Sequence, residues 1–553
     1  MPRSADAAKR RLLAYVVALS VGLIAVAVTF PHWALFGLLP SGAPWGADPA
    51  QQIVAQRYFF AQPWHWPLLH VDGLMQPWGI NLAFADGIPL AALVAKALRP
   101  VLPHFDQVAT VWLALCWLLQ PVAAVFALRG AGERRLLPAL CIAILAACQP
   151  TFLARLHHCT LSAHFFLLFL LGCYFRATNG RPIYVWFGCA AAALLMLVHP
   201  YFLFMGLGFP AATVVTLALR RDLLWRFAAG ALAGTLVAIL AAAWALGLTR
   251  GGNAGVYGFH TLNVAGLFYP AGSGLFPGFP LAAVDATGGQ EEGYAYLGAG
   301  LLLVLVVAAT RLKLAVAAMR RHAGLALACV VFTALALSHR VFLFHTEILH
   351  IHTATDALDA FRASGRFAWI LTYSLLVGGV VLALRARPRL ALVVLPVAAM
   401  LAVLDARAIW ARDRHLLADT WPFLFDADRM RSLLRLHDRL TVLPPQGCIK
   451  GFDIGVMQPL WLAAETLMPT NTAYVARVER PQSCDVAAAL ARKPQAGELV
   501  LVQPGGLMVA KQSPGGALCR QIGAYAACSV NRGALAGLPE IGREIPIPPR
   551  PAW

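Results

Sequence analysis

The chain has 553 residues, 59% of them hydrophobic and only 13% charged, with a formal net charge of +18. A soluble protein has no need of so much apolar surface, and the apolar residues come in long runs with few charges, as membrane helices do. The positive charge does not describe a nucleic-acid groove, because Lys and Arg sit in short clusters between the apolar runs, where they carry topology information.

Lys9, Arg10 and Arg11 precede an apolar stretch from about Leu12 to Phe30. It is too long for a signal-peptide core and lacks a small-x-small cleavage site, so it reads as a first anchor helix. The later basic clusters are Arg129/Arg134/Arg135, Arg176/Arg181, Arg220/Arg221/Arg226, Arg311/Lys313/Arg320/Arg321 and Arg385/Arg387/Arg389. With all six clusters cytoplasmic, helices are predicted near 12–30, 107–128, 136–153, 160–176, 183–198, 202–219, 225–248, 296–310, 323–338, 367–384 and 390–409. The fold class is therefore an α-helical polytopic membrane protein of about eleven spans, N-terminus inside and C-terminus outside. Ile88–Leu102 is short for a bilayer and carries Lys96 and Arg99, and counting it would invert every later cluster. It is predicted as a re-entrant or interfacial helix on the outer side.

This threading puts nearly all His, Asp and Glu at the outer face. The inner exceptions are His322, Asp6, Glu133 and Asp222. Longer outer loops account for part of that skew. The transmembrane domain is expected over 1–410, with a long first outer loop at 31–106. From 411 to 553 the apolar runs shorten. "RLTVLPPQG", "GELVLVQPGG" and "ALCRQIGAYAACSV" read as strands with turns, and "MQPLWLAAETLM" as a helix, giving a small extracytoplasmic α/β or α+β domain. Its Cys448, Cys484, Cys519 and Cys528 suit two disulfides in an oxidising compartment, with three pairings open. The Pro-rich tail "PEIGREIPIPPRPAW" is expected to be extended and mobile.

In the first outer loop, Asp48-Pro49 reads as an N-cap followed by Pro at the first helical position. Ile53, Tyr58, Phe59 and Phe60 make the following helix aromatic, as for one lying along the interface, and Trp64 and Trp66 suit the headgroup level. Asp48 is either a helix cap or an outward carboxylate at the membrane surface. Asp86 is either a turn residue before Gly87 or a second acid. Among outer arginines, Arg57, Arg155, Arg250, Arg340, Arg362 and Arg366 stand out. Arg362 and Arg366 are four apart, on one helical face if the segment is helical, and suit a phosphate at the lipid surface; headgroup snorkelling is the alternative. "ARLHHCT" groups Arg155, His157 and His158, and "MLVHPYF" puts His199 at a helix break. Glu291 and Glu292 precede a span, either as a cap or as a sugar contact. "FLFHTEILHIHTATD" offers His345, Glu347, His350 and His352 without a zinc-site spacing. No motif fixes a cofactor. A hard cation, Mg²⁺ or Mn²⁺, held partly by substrate phosphates is the metal such a site would take.

The strings "GADPAQQIVAQRYF", "GINLAFADGIPLAAL", "HPYFLFM", "GLFYP", "EEGYAYLGAGLLL" and "FRASGRFAW", with the long acidic first loop, resemble a bacterial family of GT-C-like membrane proteins. The GT-C superfamily comprises integral-membrane glycosyltransferases that take sugars from polyprenyl-phosphate carriers. The resemblance spans roughly the whole membrane region. It implies a hexosyl- or pentosyltransferase of the bacterial inner membrane. Its partners would be membrane lipid, a polyprenyl-phosphate sugar donor and a periplasmic envelope glycan or glycolipid acceptor. It implies Asp48 as the first-loop acid and general base. Asp86 would be the second acid, orienting the sugar or holding a metal. Arg57, Arg155, His157, His158, His199, Glu291, Glu347, Arg362 and Arg366 would bind substrate or the leaving phosphate. A lipid-linked-sugar flippase and a non-catalytic envelope assembly protein are the competing readings. A transporter should show ionisable groups at mid-span and repeat symmetry, and the sequence displays neither.

Overall fold

The computed structural model describes residues 2–38, 47–101, 105–250, 255–352, 356–418, 422–449, 454–476, 480, 482–512 and 516–542. The Arg250 side chain, Gly46 of the first-loop motif and the tail from 543 lie outside the described residues. The described chain forms two compact units. The first takes Met1–Leu35, Thr110–Ala243 and Asn253–Ala418, and the second takes Phe36–Ala109, Trp244–Gly252 and Asp419–Trp553. The first outer loop therefore clusters with the C-terminal residues, and not with the membrane helices with which it was expected.

Every apolar run predicted to span forms a helix. Among the described residues, eight are long and apolar enough to cross a membrane: Ala8–Thr29, Ala109–Gly130, Leu136–Leu153, Cys159–Ala177, Pro200–Leu219, Leu224–Ala245, Ser364–Ala386 and Pro388–Ala418. The other three predicted spans are shorter. Ile183–Leu197 and Ala323–Leu337 are apolar helices of fewer than 18 residues. Ala299–Ala309 counts as a span only together with Leu312–Arg321, from which it is bent by 98°. Two of the helix starts have local causes. Gly298 adopts φ +85°, a conformation open to glycine without strain, just before Ala299. Pro200 begins a new helix immediately after His199.

At one end of this helical unit the basic clusters meet. Arg129 donates to the Arg10 carbonyl at 3.2 Å. Asn179 donates to the Gly130 carbonyl at 3.4 Å. Arg220 bridges two clusters, donating to the Thr178 carbonyl at 2.8 Å and to the Arg321 carbonyl at 3.0 Å. Arg385 acts electrostatically on His322. A helix running from Leu136 to Leu153 separates this end from Arg155, so the unit is polarised along its helices.

At the other end, Asp405, 2% exposed, holds a loop and a helix terminus together. Its Oδ2 accepts the Ala299 N–H at 2.7 Å, its Oδ1 accepts the Ser273 hydroxyl, and its carbonyl accepts the Gly274 N–H at 2.7 Å. A carboxylate at a helix N-terminus satisfies donors that have no intrahelical partner.

The second unit is an α/β domain. Its sheet runs in the order Arg439–Leu443, Glu498–Val502, Tyr525–Ser529, Leu518–Ile522. The first pair is parallel and the other two antiparallel. The predicted strands and the helix, found at Ile454–Glu465, are all present. The disulfides join Cys448 to Cys484 and Cys519 to Cys528.

The first-loop helix Ala47–Ala61 packs on Ile454–Glu465, and the Tyr58 hydroxyl donates to the Met468 carbonyl. Thr470 donates to the Gly73 carbonyl at 2.9 Å, and Ala476 to the Phe84 carbonyl at 2.7 Å. Ile53, Tyr58, Phe59 and Phe60, expected on a lipid interface, are buried inside this unit. Trp64 and Trp66 are 50% and 65% exposed. Pro89–Leu98, at 10 residues, is about 15 Å long and cannot span a bilayer. Lys96 turns inward, donating to the Phe59 carbonyl at 2.7 Å and lying 4.2 Å from the Phe59 ring centroid.

Candidate functional site

The centre of the helical unit's loop end is Glu292, partly buried, its side chain 19% exposed. It sits in a 3₁₀ turn, Gln290–Gly293, at the close of the long loop before Ala299–Ala309. Its Oε2 accepts from Arg155 at 2.9 Å and from Arg366 at 2.7 Å, and its Oε1 lies 3.1 Å from His158 Nε2. Arg155 also donates to the Glu292 carbonyl at 3.0 Å. Two guanidinium groups and an imidazole thus converge on one carboxylate. Burial pushes the Glu292 carboxyl up, but Arg366, His158 and Arg155 outweigh it and hold it well below the usual carboxylate range.

Close backbone approach makes this convergence possible. A Cβ on Gly365 would lie 2.4 Å from Gly293 Cα, and a Cβ on Gly293 would lie 2.1 Å from the Thr261 carbonyl oxygen. Only glycines let the Gln290–Gly293 turn and the Ser364–Ala368 turn touch, which carries Arg366 to Glu292. Behind the cluster, Arg155 is 2% exposed and stands 5.5 Å from the Trp369 ring centroid. Trp369 in turn packs on His164, with ring centroids 4.1 Å apart. His157 lies beside His158, the rings tilted by 47° with centroids 4.4 Å apart, and burial followed by that neighbour holds it well below its ordinary range.

Beside the cluster lies a cavity of about 390 Å³ lined by Tyr257, Phe259, His260, His339, Arg340 and Arg362. His260 connects the two. Its carbonyl accepts the Gly365 N–H at 3.0 Å, and its Nδ1 lies 2.8 Å from the Gly289 carbonyl. The cavity therefore has cationic and aromatic walls, a combination suited to an anionic group joined to an apolar or sugar body.

The predicted residues distribute as follows. Arg155, His158 and Arg366 meet at Glu292, with His157 alongside. Arg362 and Arg366 do not form a pair on one helical face. The chain there is two 3₁₀ turns, Asp356–Phe361 and Ser364–Ala368, and Arg362 between them is exposed and lines the cavity while Arg366 points inward. Glu291 is exposed, and its neighbour Glu292 is the one that turns to the arginines. Glu347 lies on the Arg340–Leu343/Thr346–His350 hairpin, in a bidentate pair with Arg340 at 2.8 and 3.2 Å. His199 caps Pro200–Leu219, its Nδ1 accepting from Tyr201 N–H at 3.2 Å. Tyr201 lies 5.0 Å from the Arg366 guanidinium, and its hydroxyl accepts the Ala363 N–H at 2.7 Å.

Asp48, Asp86 and Arg57 belong to the second unit. Asp48 is in the first turn of Ala47–Ala61 and not at its N-cap. Asp86 ends the 3₁₀ turn Leu82–Ala85 in a left-handed conformation, φ +49°. Gln56 of that first-loop helix donates to the Gly87 carbonyl at 2.9 Å, which fixes the helix against the Asp86 segment. Eight residues separate Gln56 from Asp48, about 12 Å along the axis. Among the described residues, no group of three or more His, Cys, Asp or Glu side chains is placed to hold a metal ion. A Mg²⁺ or Mn²⁺ ion here would depend on substrate phosphates for most of its ligands.

Sequence reasoning missed Glu292 as the hub, and His260, His339 and Tyr201 as its surroundings. Two adjacent glutamates before a span give no signal of which one turns inward.

The fold and site define a polytopic helical membrane protein with a charged cluster and cavity at one end and a separate disulfide-bonded α/β domain. The chain belongs to the DUF6311 family, described as a domain of unknown function, which it matches over residues 15–407; that family's C-terminal domain matches 429–530. No curated protein matches the chain. Among solved structures it is similar to the archaeal oligosaccharyltransferase AglB from Archaeoglobus fulgidus in complex with an inhibitory peptide and a dolichol-phosphate. That match has 12% identity and a TM-score of 0.47, over 91% of this chain and 71% of that one. A second structure, the A. fulgidus oligosaccharyltransferase tethered with an acceptor peptide containing the NVT sequon, has 12% identity and a TM-score of 0.48, over 93% and 74%.

Proposed function

We propose that this protein is a bacterial inner-membrane glycosyltransferase that takes a sugar from a polyprenyl-phosphate carrier and transfers it to an envelope glycan or glycolipid on the periplasmic face. The observation that carries the reading is the cavity walled by Arg340, Arg362, His260 and His339, backed by the Glu292 cluster. With the basic clusters cytoplasmic, this cavity opens on the periplasmic side.

The chemistry needs two things. The leaving lipid phosphate gains negative charge as the glycosidic bond breaks, and cations that already face the cavity stabilise it without reorganising. Arg362 and Arg340 supply them, Arg340 held in place by Glu347; His260 and His339, both held below their ordinary range chiefly by burial, line the cavity as neutral imidazoles that can donate a hydrogen bond. The acceptor hydroxyl must lose a proton as it attacks the anomeric carbon through an oxocarbenium-like state. The resemblance of the first loop assigns that base to Asp48. Asp86 serves as the second acid, fixed in its turn by the left-handed backbone.

The test is a mass-spectrometric comparison of surface glycans in cells lacking the protein and in cells carrying wild type or Asp48→Asn. Deletion should remove a glycan modification, wild type should restore it, and Asp48→Asn should fail to do so at normal expression. Unchanged glycans on deletion would overturn the reading. Full restoration by Asp48→Asn would reject Asp48 as the base.

A further inference from the structure

One helix of the membrane unit has no place inside it. Leu312–Arg321 contains no buried residue. Leu312, Val316 and Met319 fall on one stripe and are 66%, 37% and 53% exposed. Lys313 and Arg320 flank that stripe on the same side of the helix, and Arg321 follows, all exposed. The helix is bent by 98° from Ala299–Ala309 and is followed by the apolar helix Ala323–Leu337. A short amphipathic helix set square to the membrane helix that leads into it suits the plane of the interface.

Its setting is basic and anchored. Arg220 holds its last turn through the Arg321 carbonyl, and His322 Nδ1 lies 3.1 Å from the Tyr174 hydroxyl. The same end carries Arg129, Arg176, Arg220 and Arg385. Of the acids there, Glu133 is paired with Arg135 at 2.6 Å.

We propose that Leu312–Arg321 lies flat in the headgroup layer and binds anionic phospholipid. Leu312, Val316 and Met319 meet acyl chains, and Lys313, Arg320 and Arg321 take the headgroup phosphates. This surface is at the end opposite the cavity and does not depend on the glycosyltransferase reading.

The test uses the full chain in nanodiscs of phosphatidylcholine alone and of an equimolar phosphatidylcholine–phosphatidylglycerol mixture, read by hydrogen exchange of the 312–321 amides. Phosphatidylglycerol should slow exchange at least about fivefold, since about 1 kcal/mol from each basic side chain at an anionic surface is about a factor of five. High salt should remove the difference in the wild type. K313Q/R320Q/R321Q should remove it without changing exchange in the membrane helices. Equal rates in the two lipids would overturn the proposal, because protection would then come from apolar burial or a protein partner. The same protection from inorganic phosphate in detergent would overturn the assignment to lipid.

Discussion

Glu292 and Arg366 are 74 residues apart in sequence and 2.7 Å apart in space. Their pairing closes the cluster that Arg155 and His158 enter from a third segment. Two opposed glycines, Gly293 and Gly365, set the distance between the turns that carry them. Charge and backbone sterics therefore act on the same few residues.

Replacing Glu292 should be costly. Glu292→Gln leaves Arg155, 2% exposed, without its counter-charge, and breaking a buried pair from one side costs about 3–5 kcal/mol. Thermal unfolding of the detergent-solubilised protein measures this. Adding Arg155→Met should recover part of the loss, because the stranded charge is then gone. Glu291→Gln, at an exposed position, should cost less than about 1 kcal/mol.

Gly365→Ala tests the close approach. The added Cβ would press on Gly293 Cα and on the backbone at Thr261 and Leu262, and overpacking of this kind costs about 1–3 kcal/mol. Because the displaced turn carries Glu292, glycan transfer should fall more than the loss of folded protein explains. Equal losses of transfer and of folded protein would disconnect the turn from function.

Acid should destabilise the loop end in two stages. His157 is held well below its ordinary value of 6.5. Below that pH the unfolded chain binds a proton that the folded chain refuses, so stability falls as pH falls. Glu292 is held well below 4.5. Its contribution is complete above 4.5 and is lost as pH drops toward its folded value. The unfolding midpoint measured against pH should be level in neutral solution and decline through both windows. Glu292→Gln should reduce the lower decline, to which Glu133 and Glu498 also contribute.

The two disulfides should differ in worth. Cys448–Cys484 closes a separation of 36 residues and Cys519–Cys528 one of 9. Loop-closure entropy then assigns about 4 kcal/mol to the first and about 2.6 kcal/mol to the second. Denaturant unfolding of Cys448→Ser and Cys519→Ser should rank them in that order, with Cys448→Ser the more damaging.

Much of the fold is legible in the sequence because bilayer thickness and charge asymmetry act locally. Runs such as Leu136–Leu153 and Ser364–Ala386 announce themselves as helices, and the C-terminal strands and turns do so by period and by Gly and Pro. Helix length is less legible. Ala299–Ala309 and Leu312–Arg321 look like one span followed by a basic loop, and only packing shows the right-angle bend. The site is the least legible part, since no periodicity brings Arg155, Glu292 and Arg366 together. The "FRASGRFAW" motif places Arg362 and Arg366 four apart, which on a helix means one face. In two 3₁₀ turns it sends one arginine outward to the cavity and the other inward to Glu292.

By itself the sequence determined which segments are apolar, which of their ends are basic, and that strands and turns follow the last apolar run, because each is written in short-range composition. Only the tertiary structure decided that Glu292 and not Glu291 is the hub, that the first-loop aromatics pack on the C-terminal domain, and which cysteines pair. Those choices depend on contacts between segments far apart in the chain, and the free energy of such contacts is fixed by packing that no local window contains.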